Sequence, residues 1–209
     1  MTGPTVFIID DDLSSRRGLK RLVSAMGINA ESFESAADFL ADGELERHGC
    51  IMLDVQMPDM TGPELQEKLI EAGSEMPIIF LSAYSDVATT AMAMKKGAVD
   101  FLEKPVNQDD LLTAIQVSLK LDQENRAKRA ESSTIDEYIK SLTPREYEVM
   151  TYVITGMLNK QIAAEMFISM ETVKIHRGRV MQKLKIVSVA ELVSLCVKAG
   201  IPINGPDKK

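Results

Sequence analysis

No apolar run in this sequence approaches the roughly 20 residues that a membrane span needs, so no span is expected. Cysteine is scarce. The only two, Cys50 and Cys196, lie in the apolar stretches CIMLD and LVSLCV, which excludes a disulfide scaffold or a Cys-rich zinc site and points to buried reduced thiols. There is no internal repeat and no low-complexity tract. The opening MTGPTVFIIDDD lacks the basic flank and small-residue cleavage site of a secretory signal, so a cytoplasmic protein is expected. The 209 residues are 45% hydrophobic and 26% charged, the balance of a folded chain of one or two domains.

The formal net charge of -7 conceals an asymmetry. Residues 1–121 carry 20 acidic against 10 basic side chains, whereas residues 122–209 carry 11 against 14. Within the second part, residues 139–209 hold 6 acids and 11 bases, the sign expected of a surface that meets nucleic acid.

Short apolar runs at Val6 to Ile9, Cys50 to Leu53, Ile78 to Leu81 and Val99 to Leu102, with a weaker one at residues 28–33, predict five strands. Between them Leu19, Leu22, Val23 and Met26, and again Leu65, Leu69 and Ile70, recur at helical spacing, while Gly27, Gly73 and Gly97 stand where helices should stop. Strands alternating with helices imply parallel crossovers and a three-layer α/β domain. After Leu121 the apolar periodicity vanishes, although good helix formers persist. The composition allows a flexible tether but favours an unbroken helix from near Asn107 to near Ser132, on the order of 40 Å long and holding two domains apart. Beyond Leu121 nothing in it is expected to anchor to a core. Thr143, Pro144 and Glu146 then form a helix-start signature. Gly156 ends that helix, and segments at Asn159 to Met166, Ser169 to Lys185 and Ser188 to Lys198 follow. The short FIS turn between the first two of these has helix-turn-helix spacing.

Parallel α/β sheets place their chemistry at the carboxyl ends of strands. Asp10, Asp11 and Asp12 follow VFII, Asp54 follows CIML, Ser82 follows IIFL, and Lys104 with Pro105 follows DFLE. Carboxylates from adjacent strands make an all-oxygen site suited to Mg²⁺. A carboxylate is also a nucleophile toward phosphorus, and the metal, the Lys104 ammonium and the Ser82 hydroxyl offer one neutralising group for each phosphoryl oxygen.

With IIDDD, LDVQMPDMTG, IIFLSA and KKGAVDFLEKP in this order, residues 5 to about 121 resemble the receiver domain of bacterial two-component response regulators. The resemblance implies the flavodoxin-like (βα)5 fold with strand order 2-1-3-4-5. It implies Asp54 as phosphoacceptor, Asp10 and Asp11 as the acidic pair, and Asp11, Asp54 and the Gln56 carbonyl as Mg²⁺ ligands, with Asp10 beside them. It further implies Ser82 as the responding hydroxyl, Lys104 as the ion-pair partner before a cis Pro105, and Phe101 as the switch aromatic. A core role for Phe101 fits the sequence equally. The surface of the fourth helix, fifth strand and fifth helix is the family's usual dimer face.

LTPREYEVM, GMLNKQIAAEMFIS and ETVKIHRGRVMQKLKI, across residues 142–200, resemble the LuxR-type helix-turn-helix of the NarL/FixJ class, with Tyr147 where a basic residue is common. Val173, Val180 and Leu184 form the inward stripe of the third helix, and Lys174, Arg177 and Lys185 are bases able to project outward. The resemblance places Lys174, Ile175 and Gly178 nearest base edges and Lys160, His176, Arg177 and Arg179 near phosphates. Gly178 has no side chain to read a base, so either that position tolerates degeneracy or backbone and DNA shape discriminate there.

The sequence thus predicts a receiver at residues 1–121, a helical linker at 122–138 and an all-α four-helix DNA-binding domain at 139–209. The function expected is a transcriptional regulator and not an enzyme. A sensor histidine kinase phosphorylates it, it dimerises when phosphorylated, and it binds double-stranded DNA, with RNA polymerase as a further partner and no membrane. The rival is a phosphatase of the haloacid-dehalogenase type using Asp10 and Asp12. It leaves Asp54 without a role, lacks the later acidic pair for Mg²⁺ and ignores the basic domain.

Overall fold

The computed structural model describes residues 3–43, 47–83 and 87–203; the remaining residues of the expected domains, 1–2, 44–46, 84–86 and 204–209, lie outside this description. The chain divides into two compact units, Met1–Arg126 and Ala127–Lys209. Among the described residues no helix is long and apolar enough to cross a membrane.

In the first unit five strands, β1 (Thr5–Ile9), β2 (Asn29–Phe33), β3 (Gly49–Asp54), β4 (Ile78–Ser82) and β5 (Asp100–Glu103), form one parallel sheet in the order β2-β1-β3-β4-β5. The helices α1 (Leu13–Ala25), α2 (Ala36–Ala41), α3 (Gly62–Glu71) and α4 (Val87–Lys95) connect them, and α5 (Gln108–Lys140) follows β5. Central strands covered on both faces must be apolar on both. In β1, Phe7 and Ile9 face the layer holding Phe39, Leu65, Leu69 and Ala93, whereas Val6 and Ile8 face Leu19, Val23, Leu111 and Ile115. Thus α2, α3 and α4 cover one side, and α1 and α5 the other. Of the apolar positions expected to face inward, Ile70 is instead 49% exposed, because Leu65, Gln66 and Leu69 already fill the buried stripe of α3.

The helix α5 runs past the end expected near Ser132, to Lys140. In the first unit it is seated by Leu111, Ala114, Ile115, Ser118 and Asp122. Asp122 corrects the expectation that nothing beyond Leu121 anchors: it is fully buried, and its Oδ2 accepts the Gly49 N–H at 3.1 Å and a hydrogen bond from His48 Nδ1. Its Oδ1 and the Ser118 hydroxyl, one helical turn earlier, have no protein partner. Asp122 also helps burial push the Cys50 thiol up to about 12, so this cysteine is an inert thiol. At the far end of α5, Tyr138 and Ile139 pack into the core of the second unit, which is why the helix persists there.

The second unit adds α6 (Pro144–Ile154), α7 (Asn159–Glu165), α8 (Met170–Lys183) and α9 (Val189–Lys198) around Val149, Val153, Ile162, Val173, Val180, Leu184 and Leu192. Thr143 and Glu146 close a capping box at the start of α6, with Pro144 in the first turn. Glu146 is buried, and its Oε2 accepts Lys183 Nζ at 2.6 Å and the Thr143 N–H at 2.8 Å. The Lys183 hydrogen bond, followed by that from Thr143, lowers the Glu146 carboxyl to about 2. A carboxylate depressed on folding stabilises above its unfolded pKa of 4.5, and that stability is lost as pH falls toward 2. Glu146→Gln is therefore expected to cost about 1–3 kcal/mol at pH 7, discounted for the partial exposure of Lys183. In thermal melts of the full chain, the Tm gap between wild type and variant should narrow between pH 5 and pH 3; a gap independent of pH would contradict the assignment.

Candidate functional site

The sheet order decides which side chains meet. Ile9 pairs with Leu53 in neighbouring strands, and Asp54 pairs with Leu81 in the next, so Asp10 and Asp54 emerge side by side at the carboxyl edge. Ser82 ends β4, and Lys104 follows β5 directly and precedes a cis peptide to Pro105. Lys104 Nζ lies 2.7 Å from Asp10 Oδ2 and 2.8 Å from Asp54 Oδ2, binding the two carboxylates together. Carboxylate oxygens of Asp10, Asp11 and Asp54 lie within 4.8 Å of one another, Asp11 being the exposed member. The Gln56 N–H donates to Asp54 Oδ1 at 3.3 Å, which sets the Gln56 peptide beside the same carboxylate.

Burial raises the Asp54 carboxyl above the usual range, reinforced by the charge of Asp10 and opposed by hydrogen bonding and attraction to Lys104. For Lys104, burial acts downward, but the hydrogen bonds and charges of Asp10 and Asp54 outweigh it and leave the amine raised. Lys104 therefore stays a cation among anions. Three clustered acids against one lysine are an all-oxygen donor set with negative charge left over, and that chemistry fits a small hard divalent cation.

Supporting residues went unread in the sequence. Asp10 is held by the Asp12 N–H at 2.9 Å and the Ser15 hydroxyl at 2.6 Å. The buried Arg16 donates to the carbonyls of Asp10 at 2.6 Å and Asp11 at 2.9 Å, fixing the turn that aims both acids. Asp12 turns away to cap α1, accepting the Ser15 N–H at 2.6 Å, so it is not a second nucleophile-side acid. Gly62 is required by close approach: a Cβ there would lie 2.3 Å from the Asp54 carbonyl oxygen. Only the TGPE helix start hinted at this. Ser82 is buried at the end of β4. Phe101 is half-buried with its ring centroid 6.1 Å from that of Phe80, so it both touches the core and faces outward.

In the second unit α7 and α8 form the helix-turn-helix. The exposed face of α8 carries Glu171, Lys174, Ile175, Gly178, Arg179 and Gln182; Glu171 and Gln182 had not been singled out. Glu171 holds Lys174 Nζ at 3.2 Å. Lys160 is exposed on α7. Arg177 is half-buried instead of outward, its guanidinium donating to Asn159 Oδ1 at 2.5 Å across the two helices. His176 is half-buried with an unpartnered Nδ1. Lys185 is exposed as expected, and its Nζ sits 5.1 Å from the Tyr138 ring centre in a cation–π contact.

The turn after α7 is a Schellman motif, with the Ile168 N–H bonded to the Ala163 carbonyl at 3.1 Å and the Phe167 N–H to that of Ala164 at 3.4 Å. Phe167 occupies its left-handed position at φ 54°, a conformation costing a bulky L-residue roughly 1–2 kcal/mol.

An all-parallel sheet with a carboxylate and lysine cluster at its carboxyl edge, followed by a helix-turn-helix, defines a signalling module joined to a nucleic-acid-binding one. Residues 6–116 match the response regulator receiver domain family, and residues 140–196 match the bacterial regulatory proteins of the luxR family. Response regulator protein TodT of Pseudomonas putida is 42% identical over 188 residues, covering 90% of this chain and 83% of that protein. The solved structure of the response regulator StyR is 44% identical with a TM-score of 0.87, covering 94% of this chain and all of that one. Full-length FixJ from B. japonicum is 36% identical with a TM-score of 0.58, covering 97% and 100%. The chain belongs to the response regulators of the NarL/FixJ class, a receiver domain joined to a LuxR-type DNA-binding domain. It is a transcriptional regulator and not an enzyme, which sets aside the phosphatase alternative. A receiver implies a histidine kinase as partner, and the luxR-family domain implies DNA.

Proposed function

We propose that this regulator is switched by phosphorylation of Asp54, and the observation that carries the reading is the Lys104 ammonium shared between Asp10 and Asp54 beside Asp11. A carboxylate oxygen of Asp54 attacks the phosphorus of a phosphohistidine on a sensor kinase, or of a small acyl phosphate. The bond to the donor's nitrogen or oxygen breaks, and the phosphoryl group stays on Asp54. Lys104 and the Ser82 hydroxyl take charge developing on the phosphoryl oxygens. Asp11, Asp54 and the Gln56 carbonyl are the residues that would hold Mg²⁺, with Asp10 behind them, and the ion when bound neutralises phosphoryl charge. Ser15 and Arg16 keep Asp10 and Asp11 aimed.

The phosphorylated state is read out by Ser82 and Phe101, and it favours a homodimer through the α4–β5–α5 face, where Val87, Met92 and Met94 are exposed apolar side chains on α4. The working division is a receiver over 1–121, a helical linker over 122–138 and a DNA-binding domain over 139–209, in a cytoplasmic protein that meets RNA polymerase on its promoters. Lys174, Ile175 and the Gly178 backbone face base edges. Lys160, Arg179 and His176 lie toward phosphates, and Arg177 serves there partly by positioning α7 through Asn159. With Mg²⁺ and acetyl phosphate the protein should take up one acid-labile phosphoryl group without catalytic turnover; sustained turnover would overturn the reading. At matched salt, Lys174→Ala should relax preference at one position of each half-site by about 1–3 kcal/mol, whereas Lys160→Ala should weaken all sequences alike. Equal losses on selected and random duplexes for both variants would make Lys174 a backbone contact.

A further inference from the structure

Among the described residues six helices end in a left-handed glycine, Gly27, Gly43, Gly73, Gly97, Gly156 and Gly200, with φ between 67° and 92°. Two further helices end in a left-handed residue that is not glycine, and both belong to the helix-turn-helix: α7 with Phe167 and α8 with Lys185, each at φ 54°. For Lys185 the fold supplies a reason, the Tyr138 ring beneath its ammonium. For Phe167 it supplies none. The side chain is 95% exposed, so the residue carries both backbone strain and a solvated aromatic ring. Strain of this kind persists where it serves a function.

Phe167 stands two residues before Ser169, the N-cap of α8, so it borders the end of the helix whose first turns carry Met170, Lys174 and Ile175 on the surface. In helix-turn-helix proteins these N-terminal residues of the second helix approach the bases. An apolar side chain at the rim of a major groove has one base feature to meet, the C5-methyl group of thymine. Lys160, Lys174 and Arg179, exposed on α7 and α8, supply the positive charge that draws a duplex to the helix-turn-helix, which favours DNA over a protein partner.

We propose that Phe167 is a further specificity-determining residue, its ring packing on the methyl group of a thymine at the rim of each half-site. This rests on the reading of the α8 surface as the DNA face. The test uses the full-length protein phosphorylated with acetyl phosphate and Mg²⁺, and a duplex enriched by the wild type from a randomised pool. Wild type, Phe167→Gly and Lys174→Ala are compared at one salt concentration on that duplex, on random DNA, and on versions with each thymine in turn replaced by deoxyuridine. Glycine relieves the left-handed strain and removes no buried contact, so Phe167→Gly should melt no lower than wild type. It should nevertheless lose about tenfold in affinity for the enriched duplex and little on random DNA. At one thymine, deoxyuridine should weaken the wild type but leave Phe167→Gly unaffected.

Undiminished affinity of Phe167→Gly, or the absence of any thymine whose methyl group distinguishes it from wild type, overturns the proposal. So does a variant that binds DNA normally but fails to support transcription by purified RNA polymerase, since that result moves Phe167 to a protein contact. If Lys174→Ala loses affinity while Phe167→Gly does not, only this inference fails. If neither does, or the wild type enriches no duplex, the DNA-face reading fails with it.

Discussion

Asp54→Asn is expected to abolish phosphoryl labelling completely while leaving the receiver folded. The amide has nearly the carboxylate's shape and keeps an oxygen to accept the Gln56 N–H, and Lys104 retains Asp10 as its anionic partner. What is lost is the nucleophile, and no neighbouring acid can replace it: Asp10 is tied up by the Asp12 N–H, the Ser15 hydroxyl and Lys104, and Asp11 is exposed. Asp11→Asn should behave differently. Removing one charged donor from an all-oxygen set should raise the Mg²⁺ concentration needed for half-maximal labelling by roughly tenfold or more, with labelling restored at high Mg²⁺. Intact-mass measurement before and after acid treatment checks both variants. Labelling of Asp54→Asn at the wild-type rate, or loss in Asp11→Asn that excess Mg²⁺ does not repair, would count against these roles.

The second large effect is expected at the opposite end of the sheet. Asp122 is a fully buried carboxylate whose hydrogen-bond donors are His48 and the Gly49 N–H, with its other oxygen unpartnered. Removing one partner of a buried polar pair leaves the other desolvated without compensation, which costs more than the pair itself contributes. The His48 side chain is itself 37% exposed, so water reaches the vacated side, and His48→Ala is expected to destabilise the first unit by about 1–2 kcal/mol, lowering its melting transition by several degrees. Adding Asp122→Asn should recover part of that loss, because the amide oxygen still accepts the Gly49 N–H without a buried charge. The double variant melting below His48→Ala, or His48→Ala melting with the wild type, would contradict the assignment. Since Asp122 lies just before the point where α5 passes from the first unit to the second, this latch fixes the last turn of the helix within the first unit.

The strands and the carboxyl-edge cluster were readable because both follow from local signals. Short apolar runs such as VFII and CIML mark strands buried on both faces, and the residues directly after such runs converge wherever parallel strands are neighbours. Asp10, Asp54 and Lys104 meet for that reason. The Asp122 latch was not readable, because its partners stand 74 and 73 residues away and a polar residue on a polar helix carries no periodic signal. Arg16 was hidden in the same way: a basic residue on an amphipathic helix reads as solvated, yet this one is turned inward onto two carbonyls. α5 runs beyond the expected end near Ser132 because Ile135, Tyr138 and Ile139 restore helical apolar spacing before α6 begins. In the sequence, Phe167 carries no signal, because FIS reads as an ordinary short turn. Its backbone conformation and exposure are visible only in three dimensions.

Phosphorylation of Asp54 is proposed to govern what the basic helix does. The most direct measurement of that control is the affinity of the full-length wild-type protein for a self-enriched duplex, taken with and without acetyl phosphate and Mg²⁺ at fixed salt, with sedimentation run on the same samples. Mainly monomer and weak binding are expected without the phosphodonor, and a dimer that binds at least tenfold more tightly with it, the gain being absent in Asp54→Asn. Equal affinity and equal association in both conditions, on protein shown by mass to be phosphorylated, would contradict it.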